Sequence, residues 1–240
     1  LCAYFAAYSP HYLSLDDMQM AMTASGQCLV LEPSSQIQFS HILIGSALQK
    51  LYHWQSEVAW YGWYLIAVHA LSHVTIAYTI LATRPSVSRL LMYLICFATV
   101  GVYFLNHLQF TMTAFLCGVS GLFLISTLFD AKRAVPRRTQ IVKWLIAVAL
   151  LLLSSLIRWH GFLFAITLSS VFLLSVLLQN RSPRRWALLV GTLAGTLLVG
   201  AALRIYDRSA LARGSDWTAP EARRQIAKQF FDYHALPYSD

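Results

Sequence analysis

Between Val58 and Leu203 the chain is a succession of six apolar stretches, and that pattern decides what solvent it folds in. The stretches run approximately from Val58 to Ala82, Leu90 to Asn106, Phe110 to Phe129, Trp144 to Arg158, Gly161 to Leu178 and Ala187 to Leu203. Crossing the hydrocarbon of a bilayer takes roughly 20 apolar helical residues, within a range of about 17 to 25. Inside lipid every backbone N–H and C=O must find a partner within the protein, which favours helices for stretches of this length. The expected fold class is therefore all-α, a polytopic transmembrane helix bundle. The chain is 58% hydrophobic and only 12% charged, against about 25% charged in ordinary soluble domains, so a soluble reading fails. The fourth stretch is short, and only Arg158, Trp159 and His160 separate it from the fifth. Those two read as a tight hairpin or as one re-entrant pair.

Orientation follows from where the cations fall. Arg84 and Arg89, then Lys132, Arg133, Arg137, Arg138 and Lys143, then Arg181, Arg184 and Arg185 occupy alternate short loops. By the positive-inside rule those loops are cytoplasmic. The opposite set holds every acidic residue except Asp130. The net charge of +8 thus belongs to membrane topology; nucleic acid is not expected as a partner, because that would need a basic stripe on a soluble surface. The expected location is the bacterial inner membrane, with the acidic loops outside.

Leu1 to Ala7 reads as the end of a preceding span, without the basic segment and cleavage site of a signal peptide. The chain is accordingly expected to be a fragment of a longer protein, with residues 1–204 as the bundle and 205–240 as a truncated outer segment. Cys2, Cys28, Cys96 and Cys117 lack metal-ligand spacing and predict no disulfide framework.

Long polar segments on the outer side, at about Ser9 to Ser56 and Arg204 to Asp240, are where a site would be built. In the first, Ser14 reads as the N-cap of a helix over Asp16 to Ser25, with both acids in the first turn. From Ser35 to Tyr52, apolar Ile37, Ile44, Leu48 and Leu51 recur at helical spacing, suiting a helix that lies in the interface. Trp54, Trp60, Tyr61, Trp63 and Tyr64 form an aromatic belt at the start of the next span. In the second, Pro220 precedes an amphipathic pattern from Glu221 to Phe231.

Four groups carry candidate chemistry. The Asp16 and Asp17 pair sits at the headgroup plane, where a carboxylate can take a proton from an acceptor hydroxyl; the same pair also suits a helix N-terminus. Arg158 and His160, in a corner too short for a solvated loop, offer donors to a phosphate, or snorkel to lipid. Asn106 and His107 occupy the other short outer corner, and His41 lies on the interfacial segment. His69 and His73 stand one turn apart within a span, and interhelical hydrogen bonding explains them better than a metal site without a third ligand.

Leu15-Asp16-Asp17-Met18 just beyond the first span, Ala24-Ser25-Gly26 closing a short helix, and His41-Ile42-Leu43-Ile44-Gly45 to Leu51-Tyr52 before Trp60-Tyr61 resemble the polytopic glycosyltransferases of the C-type fold. These use polyprenyl-phosphate-linked sugars. The resemblance implies an inverting transfer with Asp16 or Asp17, preferably Asp17, as general base. It implies Arg158 against the lipid phosphate and His160, His41, Asn106, His107 and Tyr61 around the substrate. A divalent metal is compatible with it but not required, and the acceptor, whether glycan, lipid or protein, is left open. The chain has Pro33-Ser34-Ser35 where many members carry Pro-Pro. A transporter or flippase for lipid-linked saccharides, which would call for broken spans and mid-membrane charges, and a polysaccharide polymerase using Arg208, Arg213, Arg223 and Arg224 are the alternatives.

Overall fold

The structure, a computed structural model, describes residues 10–27, 32–83, 86–129, 136–179 and 183–213. The expected first span, Cys2, Cys28, the basic loop residues Arg84, Lys132, Arg133 and Arg181, and the pattern from Glu221 to Phe231 lie outside the described residues.

A two-residue strand, β1 (His11–Tyr12), leads into α1 (Leu15–Ser25). Ser14 is its N-cap and Gly26, at φ 76°, closes it in the left-handed conformation that glycine tolerates best, as the sequence predicts. The interfacial helix, α2, covers Ile42–Trp54 and so begins seven residues later than the apolar spacing predicts. The reason is a competing set of hydrogen bonds. Ser40 Oγ donates to the Ile157 carbonyl at 2.9 Å and His41 N to the Leu156 carbonyl at 2.9 Å, so this segment caps another helix instead of starting its own.

The six apolar stretches all form helices: α3 (Trp60–Thr83), then α4 (Val87–Cys96) continuing through a π turn at Phe97–Gly101 into α5 (Val102–Asn106), then α6 (Phe110–Ser126), α7 (Arg137–Ile157), α8 (Trp159–Gln179) and α9 (Pro183–Arg213). Four of these segments are long and apolar enough to cross a membrane: Trp60–Leu81, Val87–Asn106, Arg137–Ile157 and Trp186–Ala210. Large apolar side chains stand exposed along them, such as Val74 at 65% and Leu198 at 72%, which suits a lipid surface. Two ranges outgrow the expected ones. With 21 residues, α7 begins well before Trp144 and reaches across, so α7 and α8 make a hairpin turned by Arg158 alone. Beyond Leu203, α9 continues for ten further residues into what the sequence suggests is an outer segment.

The bundle is organised around α6. Its small residues Ala114, Cys117, Gly118, Ser120 and Gly121 are buried, which lets neighbouring backbones come close where no hydrophobic driving force separates helix from lipid. Ser154 Oγ on α7 donates to the Ala114 carbonyl at 2.6 Å. A Cβ added at Gly118 would lie 2.8 Å from Ala165 Cβ and 2.9 Å from Ser154 Oγ, so α6, α7 and α8 meet through glycine.

All the corners expected on one side gather at one end of the bundle. β1 pairs in parallel with β2 (His107–Leu108), the Ser40-His41 segment sits on the end of α7, and His41 reaches Leu203 on α9.

Gly118→Val should overpack the α6 crossing and destabilise the protein by about 1–3 kcal/mol. Thermal unfolding of the detergent-solubilised variant measures this; an unchanged midpoint would mean that α6 does not sit in close contact with α7 and α8.

Candidate functional site

The acidic pair divides into two environments. Asp17 is 0% exposed, and three donors converge on it. Ser14 Oγ donates to its Oδ2, Tyr61 Oη to Oδ1 at 3.1 Å, and the Phe110 backbone N–H to Oδ1 at 2.9 Å. Phe110 opens α6, and its amide is one of the donors that a helix start leaves without a helical partner; a carboxylate there also meets the positive end of the helix dipole. Burial raises the Asp17 pKa above the usual carboxylate value, the Ser14, Phe110 and Tyr61 hydrogen bonds oppose that, and Asp16 adds to it. Asp17 is thus a buried anchor joining α1, α3 and α6, and of the two acids that the resemblance allows as general base it is the one shut away from solvent. Successive helical residues are rotated by roughly 100°, which leaves the neighbouring Asp16 half-buried at the rim.

Tyr61 is 0% exposed and spends its hydroxyl on Asp17, so it positions the acid and offers no surface to a substrate.

Arg158, the single residue between α7 and α8, points its guanidinium back over α6. Nη1 donates to Thr111 Oγ1 at 2.9 Å, and the group lies 4.4 Å from the Phe110 ring centroid and 5.2 Å from that of Phe39. Those two rings stack at 5.8 Å. Phe39 has φ 67°, the one left-handed non-glycine backbone among the described residues, a conformation costing on the order of 1 kcal/mol that surrounding contacts must hold. Burial lowers the Arg158 pKa, whereas Asp16 and Asp17 are near enough to raise it. Phe110 therefore stands between the two charged groups, its amide on Asp17 and its ring under Arg158.

Beside this assembly opens a cleft of about 340 Å³, walled by the Ile37 to His41 segment, the α7–α8 corner and the face of α9 from Gly200 to Arg208. Among the described residues Arg158, Arg204, Arg208 and His160 line it together with one carboxylate, Asp207. Asp207 Oδ1 accepts the Ile42 N–H at 2.8 Å, and so caps α2. Arg204 lies over the Trp159 ring at 5.8 Å. His41 also lines the cleft, but both its nitrogens are occupied: Nδ1 accepts from Leu43 N at 3.1 Å, which leaves the proton on Nε2 to be donated to the Leu203 carbonyl at 2.9 Å. It is the N-cap of α2.

The structure thus brings Arg158 and His160 into one cleft and leaves Asn106 and His107 out of it; Asp16 does not line it but is near enough to Arg158 to raise its pKa. His107 packs on Tyr103 at 4.2 Å and against His11 at 4.5 Å, and the buried Asn106 Oδ1 has no partner among the described residues. His69 Nε2 meets Thr113 Oγ1 at 2.9 Å across α3 and α6. Among the described residues no three His, Cys, Asp or Glu come together as a metal site. Arg204, Thr111 and Phe39 escape a sequence reading. The one signal for them is the pair Arg204 and Arg208, one helical turn apart just past the last apolar run.

Asp17→Ala should strand the Phe110 amide and the Tyr61 hydroxyl, costing about 1–3 kcal/mol for each, whereas Asp17→Asn keeps an acceptor at Oδ1 and should unfold near the parent temperature. Equal melting of all three proteins would remove Asp17 as the anchor. As to known proteins, no protein-family model, curated protein or solved structure matches the chain.

Proposed function

We propose that the protein is a membrane glycosyltransferase that moves a sugar from a polyprenyl-phosphate carrier to an acceptor hydroxyl. The observation that carries this reading is the meeting of Asp17 and Arg158 around Phe110, with Asp16 near enough to Arg158 to raise its pKa, beside an open cationic cleft. This reading puts the Asp16 end of the bundle on the outer face of a bacterial inner membrane. It draws on the resemblance to the C-type glycosyltransferases for the kind of donor.

Asp16, at the rim, takes the proton of the acceptor hydroxyl as Asp17 holds its helix in place. The freed oxygen forms a bond to the anomeric carbon from the face opposite the carrier, inverting it. The bond from that carbon to the phosphate oxygen breaks, and its electron pair leaves with the polyprenyl phosphate. A phosphodiester becomes a monoester in this step and gains negative charge. Arg158, already fixed by Thr111 and two aromatic faces, meets that charge without reorganising, and such preorganised donors contribute most where water is partly excluded. His160, exposed on the cleft wall, supplies a further donor to the phosphate. No step requires a divalent metal.

Asp16→Asn should lower transfer by a factor on the order of 10²–10⁴ with no loss of folded protein, Asp17→Asn should lower it less, and the double variant should be inactive. The assay follows radiolabelled sugar from a polyprenyl-linked donor in reconstituted membranes. Transfer surviving in the double variant would end this mechanism.

A further inference from the structure

Two histidines stand directly opposite each other where β1 pairs with β2. His11 and His107 are register partners in that parallel pair, and their ring centroids lie 4.5 Å apart with the planes at 73°. Both rings are at the Asp16 end of the bundle, His11 exposed and His107 half-buried, where water reaches them.

The surroundings of His107 prepare it to bind an ion. Its Nδ1 lies 2.9 Å from the Tyr103 carbonyl, which can only accept, so Nδ1 carries the proton and Nε2 presents a lone pair. The Tyr103 ring, stacked on the imidazole at 4.2 Å and 20°, fixes its plane. A carbonyl on the far nitrogen is the usual support of a metal-bound histidine, because it sets the tautomer and makes the other nitrogen more basic. Among the described residues no hydrogen bond engages Nε2 of His107 or either nitrogen of His11.

The separation also suits a shared ion. Zinc–imidazole bonds of about 2.0–2.1 Å put each ring centre about 3.2 Å from the metal, so two neighbouring ligands at about 90–109° have centres about 4.5–5.2 Å apart. The observed 4.5 Å meets that range, and the exposed His11 ring can turn a nitrogen toward Nε2 of His107. His69 and His73 fail the same test: their centroids are 6.5 Å apart, His69 Nε2 is taken by Thr113, and no water reaches His69 to complete a coordination shell.

We propose that His11 and His107 bind one divalent transition-metal ion, such as Zn²⁺ or Cu²⁺, through two imidazole nitrogens. Imidazole suits these ions, and water fills the remaining positions. The ion staples β1, which leads into α1 and Asp17, to β2, which leads into α6 and Phe110. It closes a long loop of chain and stabilises the folded state by binding it alone. It touches no reacting group of the transferase reading and does not depend on that reading.

The test uses the untagged full chain in nanodiscs, with Zn²⁺ and Cu²⁺ as probes. Calorimetric titration with Zn²⁺ is expected to give one ion per chain, and the melting midpoint to rise with Zn²⁺ and fall back with EDTA. Electron paramagnetic resonance of bound Cu²⁺ should show two imidazole nitrogens. His11→Gln and His107→Gln should each weaken Zn²⁺ binding by about tenfold or more and leave one nitrogen on Cu²⁺, whereas His69→Gln should change neither. The metal-free His11→Gln protein should melt at the parent temperature, since that ring is exposed, so it decides the matter even where His107→Gln folds poorly. Absence of binding, or equal affinity in the parent and His11→Gln, would overturn the site.

Discussion

A carboxylate shut away from water is costly unless donors surround it, and Asp17 meets that condition with three. Each donor belongs to a different part of the chain: the cap of α1, the first turn of α3 and the first amide of α6. Satisfying one charge therefore fixes three helices relative to one another at one end of the bundle. The Phe110 ring follows from the same constraint, because its amide is tied to Asp17, and it becomes the platform for Arg158. Two neighbouring acids and a guanidinium come near each other where this one buried carboxylate is satisfied.

A second set of ties brings the remaining walls together by a related rule, that helix ends need partners. The segment before α2 supplies Ser40 and His41 to the last carbonyls of α7, and α9 supplies Asp207 to the first amide of α2. His41 completes the circuit through Leu203. The loop is thus stapled to α7 and α9 by its own ends, and the cleft is the space enclosed between those staples. The guanidiniums lining it stand on elements that are anchored elsewhere, so they can face a ligand without having to hold the fold.

Much of this was legible in the residues, but only where the cause was local. Six apolar runs gave six helices, because lipid forces backbone groups to pair within each run. Ser14 and Gly26 marked the ends of α1, since caps act over three or four residues. Long-range partnerships left no such trace. Ser40 meets a carbonyl 117 positions away, and nothing in Ile37 to His41 signals that this segment caps α7 instead of extending α2. The roles within the acidic pair were likewise hidden: neighbouring aspartates look alike in a sequence, and what separates them is the position of Tyr61 and Phe110 in space. Arg204 was hidden because hydropathy ends a span at the last apolar residue, whereas α9 carries on as helix and turns two arginines into the cleft.

The account stands or falls on whether the acidic rim and the guanidinium cleft grip one ligand. The most direct measurement is an electron cryo-microscopy structure of the protein in nanodiscs with a non-hydrolysable lipid-linked sugar. The account predicts phosphoryl density within hydrogen-bonding reach of Arg158, and the sugar ring between it and Asp16. Headgroup density seated elsewhere on the bundle, with Arg158 turned to bulk lipid, would contradict it.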